Sequence, residues 1–413
     1  MIDSIPMKRV AAHVPRWLEE VPLYQKLAKG LRCHGEQVDF ADCFQSLPLI
    51  TKQDIRREFP RNFLRADMDL QDLIDREIVE LERTSGTSED ATPLLLGRGW
   101  WNEQEQKALR LNPWVDHALA TNPRRATIVS PMCSSEICYT GTPTREDRTL
   151  GDALFVNLSR HPFLWSLAAL ERMAREVTEW QPGFLDVDPV YGVLFARYCQ
   201  RQGIKLPTVK FVLSSYEYLS VVHRRTLQQV FGVPVFDLYG STETGHLLME
   251  LEPGLMAPSH ATAYLEILTP NDQGVGRLVV TTLTNDFMPL IRYDIGDLAR
   301  RTITENETRY QLHGRARDAL QDTRGRRITV RQVDECLTNI EAIAHYQLRQ
   351  TGSKSYVWTY SPMDAPLAES SLDGLKDRLE ALLNAPRGVE LRTSDVISCE
   401  PSGKFRLCRP MDT

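Results

Sequence analysis

The sequence predicts an α/β protein in which a parallel sheet flanked by helices is followed by an antiparallel meander and then by a small α+β unit. Three observations point there. Between residues 189 and 240 helix and strand patterns alternate across short connections, the mark of parallel crossover units. From about residue 262 strand patterns follow one another across turns, as antiparallel hairpins require. After Gly314 the chain changes again, to short strands and helices in a segment of its own, residues 315–413.

The elements follow in order. EIVEL reads as a short strand before the polar run RTSGTSEDATPL, residues 83–94. DPVYGVLFARYCQRQGI has apolar residues at helical spacing and a stop at Gly203, and VKFVLSSYEYL then begins as a short buried strand. VVHRRTLQQVFG is the next helix, closed by Gly232, and PVFDLYG the next strand. The meander comprises TAYLEIL, the turn TPNDQGVG, GRLVVTTL, LIRYDIGDLARRT and TRYQLHG. Beyond it lie a hairpin around DTRGRR, a helix from about Val333, the strand SYVWTYS, the helix LDGLKDRLEALLNA and a last strand-like piece.

Composition narrows the function classes. The chain has 413 residues, 42% of them hydrophobic and 25% charged, with a mean hydropathy of -0.33, which is the make-up of a globular protein of two or three domains. A net charge of -6 argues against a protein that grips nucleic acid. No apolar run is long enough to cross a bilayer, and MIDSIPMKRVAAHVPRWLEE lacks the apolar core of a secretory signal. A cytoplasmic location with no membrane partner is expected. The eight cysteines are scattered without a dense framework or a paired CxxC, so reduced packing thiols are expected.

Five segments carry residues suited to chemistry. In TSGTSEDATP a glycine frees the backbone to turn its N–H groups to one side, and adjacent hydroxyls add donors for a phosphate; the same residues also suit a polar turn. In FDLYGSTETGHLL, residues 236–248, a strand ends in Tyr239, Thr242 and Glu243, where open α/β sheets bind ligands. An aromatic ring there suits a base, a hydroxyl a phosphate oxygen and a carboxylate Mg²⁺. In MPLIRYDIGDLARR, residues 288–301, Asp297 follows a glycine at a strand end, placed to accept two ribose hydroxyls or to form a turn. Arg315 stands right after Gly314 at the junction of the two predicted domains, and Lys404 lies on the turn PSGKFRLCRP, residues 401–410.

Taken in order, these segments resemble the core motifs of the adenylate-forming superfamily, the acyl-CoA synthetases and adenylation domains, and most closely its phenylacetate-CoA ligase-like branch. VPLYQKLAKG, LPLITKQDIRREFP and GRLVVTTLTNDFMPLIRYDIGDL add to the likeness. The resemblance implies an N-terminal adenylation domain, residues 1–314, and a small mobile lid, residues 315–413. It implies a triphosphate loop of Thr84, Ser85, Gly86, Thr87 and Ser88 and an adenine-side wall of Ser215, Tyr216 and Glu217. Tyr239 would lie beside adenine, Thr242 at the α-phosphate, Glu243 at magnesium and Asp297 on the ribose. Arg315 would position the nucleotide, Lys404 would bridge the attacking carboxylate and the α-phosphate, and the lid would rotate near Arg317 and Asp318.

The implied reaction activates a small, aromatic carboxylic acid with ATP and Mg²⁺ and passes it to coenzyme A or to the phosphopantetheine of a carrier protein. The basic cluster Arg324, Arg326, Arg327 and Arg331 suits either acceptor. An amine acceptor, a nucleotide-binding homologue without catalysis and a homodimer remain open on the sequence. Two features depart from the family pattern. Glu89 and Asp90 replace the usual glycine and basic residue of the loop, and the proline expected after the hairpin is absent from RRITVRQVDE.

Overall fold

The helices and strands follow from local chemistry that can be traced residue by residue in a computed structural model, which describes residues 4–29, 40–84, 91–131, 143–304 and 307–411. The chain opens with α1 (Ser4–Glu20), α2 (Pro22–Leu27), α3 (Phe40–Ser46), α4 (Lys52–Arg56) and α5 (Leu70–Asp75). The hairpin β1 (Val79–Arg83) and β2 (Pro93–Gly97) and helix α6 (Trp100–Leu109) follow. Then come α7 (Pro113–Thr121), β3 (Arg125–Ile128), β4 (Thr149–Leu150), β5 (Ala153–Phe155), α8 (Leu167–Trp180) and β6 (Phe184–Val187). Helix α9 (Pro189–Gln202), β7 (Phe211–Ser214), α10 (Val221–Phe231) and β8 (Val235–Ser241) complete the alternating part.

The meander is β9 (Gly245–Glu252), β10 (Leu255–Pro258), β11 (Ala263–Leu268), β12 (Val275–Thr282), β13 (Tyr293–Thr304) and β14 (Glu307–Arg315). The last segment holds β15 (Leu320–Gln321), β16 (Arg327–Ile328), α11 (Val330–Glu335), β17 (Ile343–Gly352) and β18 (Ser355–Pro362). It ends with α12 (Glu369–Leu383), β19 (Val389–Thr393) and β20 (Cys408–Arg409). Two compact units result, one of residues 1–112 with 239–311, the other of residues 113–238 with 312–413.

In the first unit the strands run in the order β11-β12-β13-β14-β10-β9. Tyr24 ties the N-terminal helices to this sheet, its hydroxyl donating to Pro289 O at 2.8 Å and accepting from Ile291 N at 2.9 Å. Ile50 forms an isolated bridge with Tyr293, and this brings α4, two residues further on, beside β13. Asp297 was expected at a strand end and instead lies inside β13. Arg277 pairs with Leu298 and Val279 with Asp294, so Ile295, Gly296 and Asp297 face Leu278 alone, a bulge that Gly296 accommodates at φ 84°.

In the second unit β8-β7-β6-β3-β5-β4 form a mixed sheet, parallel except for β4. Helix α9 shows why the crossovers form where they do. Asp188 caps it by accepting from Val190 N at 3.0 Å, Pro189 fits the first turn, and Gly203 ends it in the left-handed region. Val190, Val193, Leu194 and Phe195 pack against Leu185, Val187 and Val212 of the sheet, and each such fully buried side chain contributes roughly 1.5–3 kcal/mol. Ile128, Val187 and Ser214 stand in register on adjacent parallel strands. Whatever follows them emerges along one edge.

Residues 315–413 build a four-stranded sheet, β19-β18-β17-β20, around Tyr346, Trp358, Tyr360, Leu375 and Leu379. Its helix α11 begins at Val330, three residues before the expected Val333, because Thr329 and Gln332 form a capping box. Strand β17 had not been expected. Cys199, Cys336, Cys399 and Cys408 are free thiols, but Cys43 is disulfide-bonded, which corrects the expectation of reduced packing thiols at that position; pairing depends on spatial proximity, which scattered spacing does not reveal. Among the described residues no helix is long and apolar enough to cross a membrane.

Candidate active site

The first unit gathers one group of the predicted residues. Thr84 N donates to Thr92 O at 3.1 Å and Thr92 N donates to Thr84 Oγ1 at 2.9 Å, so these two residues close the base of the polar run between β1 and β2. Ser85, Gly86, Thr87 and Ser88, with Glu89 and Asp90, lie outside the described residues, as do residues 132–142 of the segment SPMCSSEICYTGTP.

Strand β8 turns into β9 through Ser241–Thr244, where Thr244 N donates to Ser241 O at 3.1 Å and the two hydroxyl oxygens stand 3.0 Å apart. Thr242 is half-buried in that turn. Glu243 is 3% exposed, and its Oε1 takes the Lys52 ammonium at 2.9 Å and the Tyr293 hydroxyl at 3.2 Å. Burial pushes the Glu243 carboxyl up, but the charge and hydrogen bond of Lys52 outweigh it and hold the group below its ordinary value. Tyr239 donates its hydroxyl to Oδ2 of the buried Asp297 at 2.6 Å. The β13 bulge turns that carboxylate toward β8.

A magnesium ion needs little from the protein when a nucleotide supplies its phosphates, one or two carboxylates being enough. Glu243 fits that role as a buried carboxylate kept ionised by its neighbours. Among the described residues no trio of His, Cys, Asp or Glu could hold a metal unaided.

The second unit gathers the other group on the aligned strand ends. Ser130 follows β3, Asp188 follows β6, and Ser215, Tyr216 and Glu217 follow β7. Asp186, inside β6, accepts from Ser215 Oγ at 3.0 Å and from the Tyr216 hydroxyl at 3.1 Å. Tyr216 has φ 74°, a strained conformation for an aromatic residue, and leaves 37% of its surface exposed.

Lys404 reaches this edge on a turn in which Glu400 N donates to Lys404 O at 2.7 Å and Gly403 N to Glu400 O at 2.8 Å. Asp188 is fully buried, and burial raises its carboxyl above the usual range against its backbone hydrogen bonds and the Lys404 charge. Glu217 is raised too, by burial and then by Asp188. Two acids therefore share a confined space with one lysine. Arg315 ends β14 behind Gly314, which has φ 86°, and the turn Ala316–Asp318 follows. Asp318, expected near the hinge, pairs with Arg406 at 2.7 Å.

Lys52, Tyr293, Asp188, Tyr191 and Ser130 were not among the predicted site residues. Asp188 had a readable signal, an acid just before a helix-starting proline at the end of a buried strand. Lys52 lies in LPLITKQDIRREFP, a segment that adds to the likeness without assigning the lysine a role, and the Ile50–Tyr293 bridge brings its helix beside β13.

No protein-family model matches the chain. A phenylacetate-coenzyme A ligase of Escherichia coli (strain K12) is 24% identical over 461 aligned positions, covering 100% of this chain and 94% of that protein. A 2-hydroxyisobutyryl-CoA ligase, solved in the postadenylation state in complex with 2-HIB-AMP, superposes with a TM-score of 0.73 at 16% identity, over 99% of this chain and 89% of the other. An anthranilate CoA ligase in complex with anthranoyl-AMP gives a TM-score of 0.55 at 13% identity, over 90% of this chain and 71% of the other. The chain is a distant, full-length homologue of phenylacetate-coenzyme A ligases, with the fold of adenylate-forming CoA ligases.

Proposed function

We propose that this chain is an ATP- and Mg²⁺-dependent acid–thiol ligase that adenylates a small, aromatic carboxylic acid and then transfers the acyl group to coenzyme A or to a carrier-protein phosphopantetheine. The observation that carries the reading is end-to-end homology to phenylacetate-coenzyme A ligases, and motif order assigns Lys404, Glu243 and Asp297 to the reaction. In the first step a carboxylate oxygen bonds to the α-phosphorus of ATP, the bond to the β-phosphate oxygen breaks, and pyrophosphate leaves. In the second a thiol sulfur bonds to the acyl carbon, AMP leaves, and the thiol proton is lost.

Two anions meet in the first step, so the protein must supply positive charge and donors where charge builds up. Lys404 is assigned the bridge between the carboxylate and the α-phosphate, and Thr242 a phosphate oxygen. Magnesium, held by Glu243, would neutralise phosphate charge. Tyr239 and Asp297 are assigned to the adenosine, with Thr84, Ser85, Gly86, Thr87 and Ser88 on the triphosphate, Ser215, Tyr216 and Glu217 beside adenine and Arg315 positioning the nucleotide. Residues 315–413 are assigned as a lid that turns near Arg317 and Asp318 between the steps, bringing the DTRGRR hairpin to the thiol. The Gly314 bend and the short turn after it support that placement of the hinge.

Acid-dependent ATP–pyrophosphate exchange over a panel of aryl and short acyl acids tests the reading; folded protein that stays silent across the panel refutes it. Lys404→Ala is expected to abolish adenylate formation and to spare thioester formation from a pre-made acyl-adenylate. Equal loss of both half-reactions would remove Lys404 from its assigned role.

A further inference from the structure

The turn that carries Lys404 is gripped by its backbone, and the grip comes from three different strand ends of the second unit. Ser130 Oγ, after β3, donates to Ser402 O at 2.9 Å. The Tyr191 hydroxyl, on the first turn of α9 after β6, lies 3.0 Å from Gly403 O and 2.7 Å from Arg160 O, and its one proton is shared between these carbonyls. Glu217, after β7, accepts from Phe405 N at 2.6 Å. Phe405 itself is buried against Tyr191, Phe163 and His345. There is no space for a side chain at the centre of the grip: a Cβ on Gly403, at φ 86°, would stand 2.3 Å from Ser130 Oγ and 2.8 Å from the Tyr191 hydroxyl.

We infer that Tyr191, Ser130 and Glu217 form a seat that positions the Lys404 turn for adenylate formation, with Tyr191 as its central positioning residue. The inference rests on the proposed function for its catalytic meaning, while the seat itself is a property of the unliganded chain. Chemistry explains the choice of contacts. Each seat residue binds a main-chain group of residues 402–405, so the turn is placed through its backbone, while the Lys404 charge also acts on Glu217 and Asp188. Tyr191 is fully buried, and burial raises its phenol, so the hydroxyl keeps the proton it donates. Glu217 does a second task here, as an anchor for the amide that follows the lysine.

Two measurements on the full chain test this. The first is amide hydrogen exchange of residues 400–405 without any ligand. Tyr191→Phe keeps the ring and removes the hydroxyl, and loss of one buried hydrogen bond should speed exchange of the Phe405 amide about 2- to 10-fold. Glu217→Ala should do the same or more, whereas Glu217→Gln retains an acceptor oxygen and should restore protection. The second compares half-reactions: Tyr191→Phe is expected to lower kcat for pyrophosphate exchange by a similar factor, with KM for ATP little changed and thioester formation from pre-made adenylate spared.

Gly403→Ala should act more strongly, and Ser130→Gly placed in that background should recover part of the loss. Unchanged exchange at Phe405 in both Tyr191→Phe and Glu217→Ala overturns the seat. Faster exchange with both half-reactions affected equally overturns its positioning role. A wild-type chain that shows the protected turn yet no exchange activity with any acid refutes the proposed function and leaves the seat standing.

Discussion

Replacing Lys52 by methionine isolates the electrostatics of Glu243. That carboxylate is 3% exposed and leans on a lysine whose side chain is 41% exposed, at 2.9 Å. A hydrogen bond between charged groups contributes about 1.5–3 kcal/mol, and the half-exposed ammonium is screened by water, which brings the expected loss at pH 7 to about 1–2 kcal/mol. The sign of the pH dependence is fixed by the direction of the shift. Glu243 is held below its ordinary 4.5 in the folded chain, so its contribution is present above that value and disappears as pH falls through the folded value. Urea denaturation of wild type and Lys52→Met should therefore differ at pH 7 and converge as pH falls through the folded value of Glu243, below its ordinary 4.5. Adding Glu243→Gln to Lys52→Met should recover stability, because the cost lies in a buried charge left without its partner. A Lys52→Met chain as stable as wild type at pH 7, or a difference that persists once Glu243 is protonated, would refute this account of the pair.

Two further predictions concern the packing of residues 315–413 on α10. Asp334 accepts from Val221 N at 2.9 Å, from the Tyr346 hydroxyl at 2.8 Å and from Ser220 Oγ, and burial raises its carboxyl to about 6 against those hydrogen bonds. Its stabilising contribution is complete below the ordinary carboxylate value and is lost as pH rises through about 6, so Asp334→Asn should flatten the stability profile between about pH 4 and 6, as read by chemical denaturation. His223 and His345 stack with nitrogen atoms 3.1 Å apart, and burial lowers His223 to about 3 and His345 well below its usual value. Unfolded histidine binds a proton below about 6.5 and this pair does not, so stability falls as pH drops through that value; His223→Leu combined with His345→Phe should remove that acid-side loss.

The alternating part of the fold was legible because its signals are local. Asp188, Pro189 and Gly203 delimit α9, and Gly232 closes α10 at φ 68°. What escaped depends on partners distant in sequence. Strand β17 mixes buried Tyr346 and Leu348 with exposed Arg349, and only pairing with β18 on one side and β20 on the other makes it a strand. Asp297 reads as a turn residue until the register of β12 against β13 is known. Among the candidate residues, motif order picked out Glu243, Asp297 and Lys404, whose proposed roles lie in their own side chains. Lys52, Tyr191 and Ser130 act by touching those residues or their backbone, and a contact of that kind leaves no periodic trace.

The docked C-terminal segment also has to be able to leave if it turns between half-reactions, and the charge state of Asp334 bears on how. Undocking would take Asp334 away from Val221 N at the start of α10 and expose Val222, Leu407 and Tyr346, all buried now, and apolar exposure alone opposes release. Burial penalises the Asp334 carboxylate once it ionises, and above about pH 6 that penalty is present in the docked state and relieved by water on release. The contribution of Asp334 by itself thus weakens docking at neutral pH relative to pH 5. The His223–His345 pair opposes this only below its solution value near 6.5, so at neutral pH the aspartate sets the balance. A lid held by apolar contact alone would have no such counterweight, and its release would depend wholly on new contacts made after it turned.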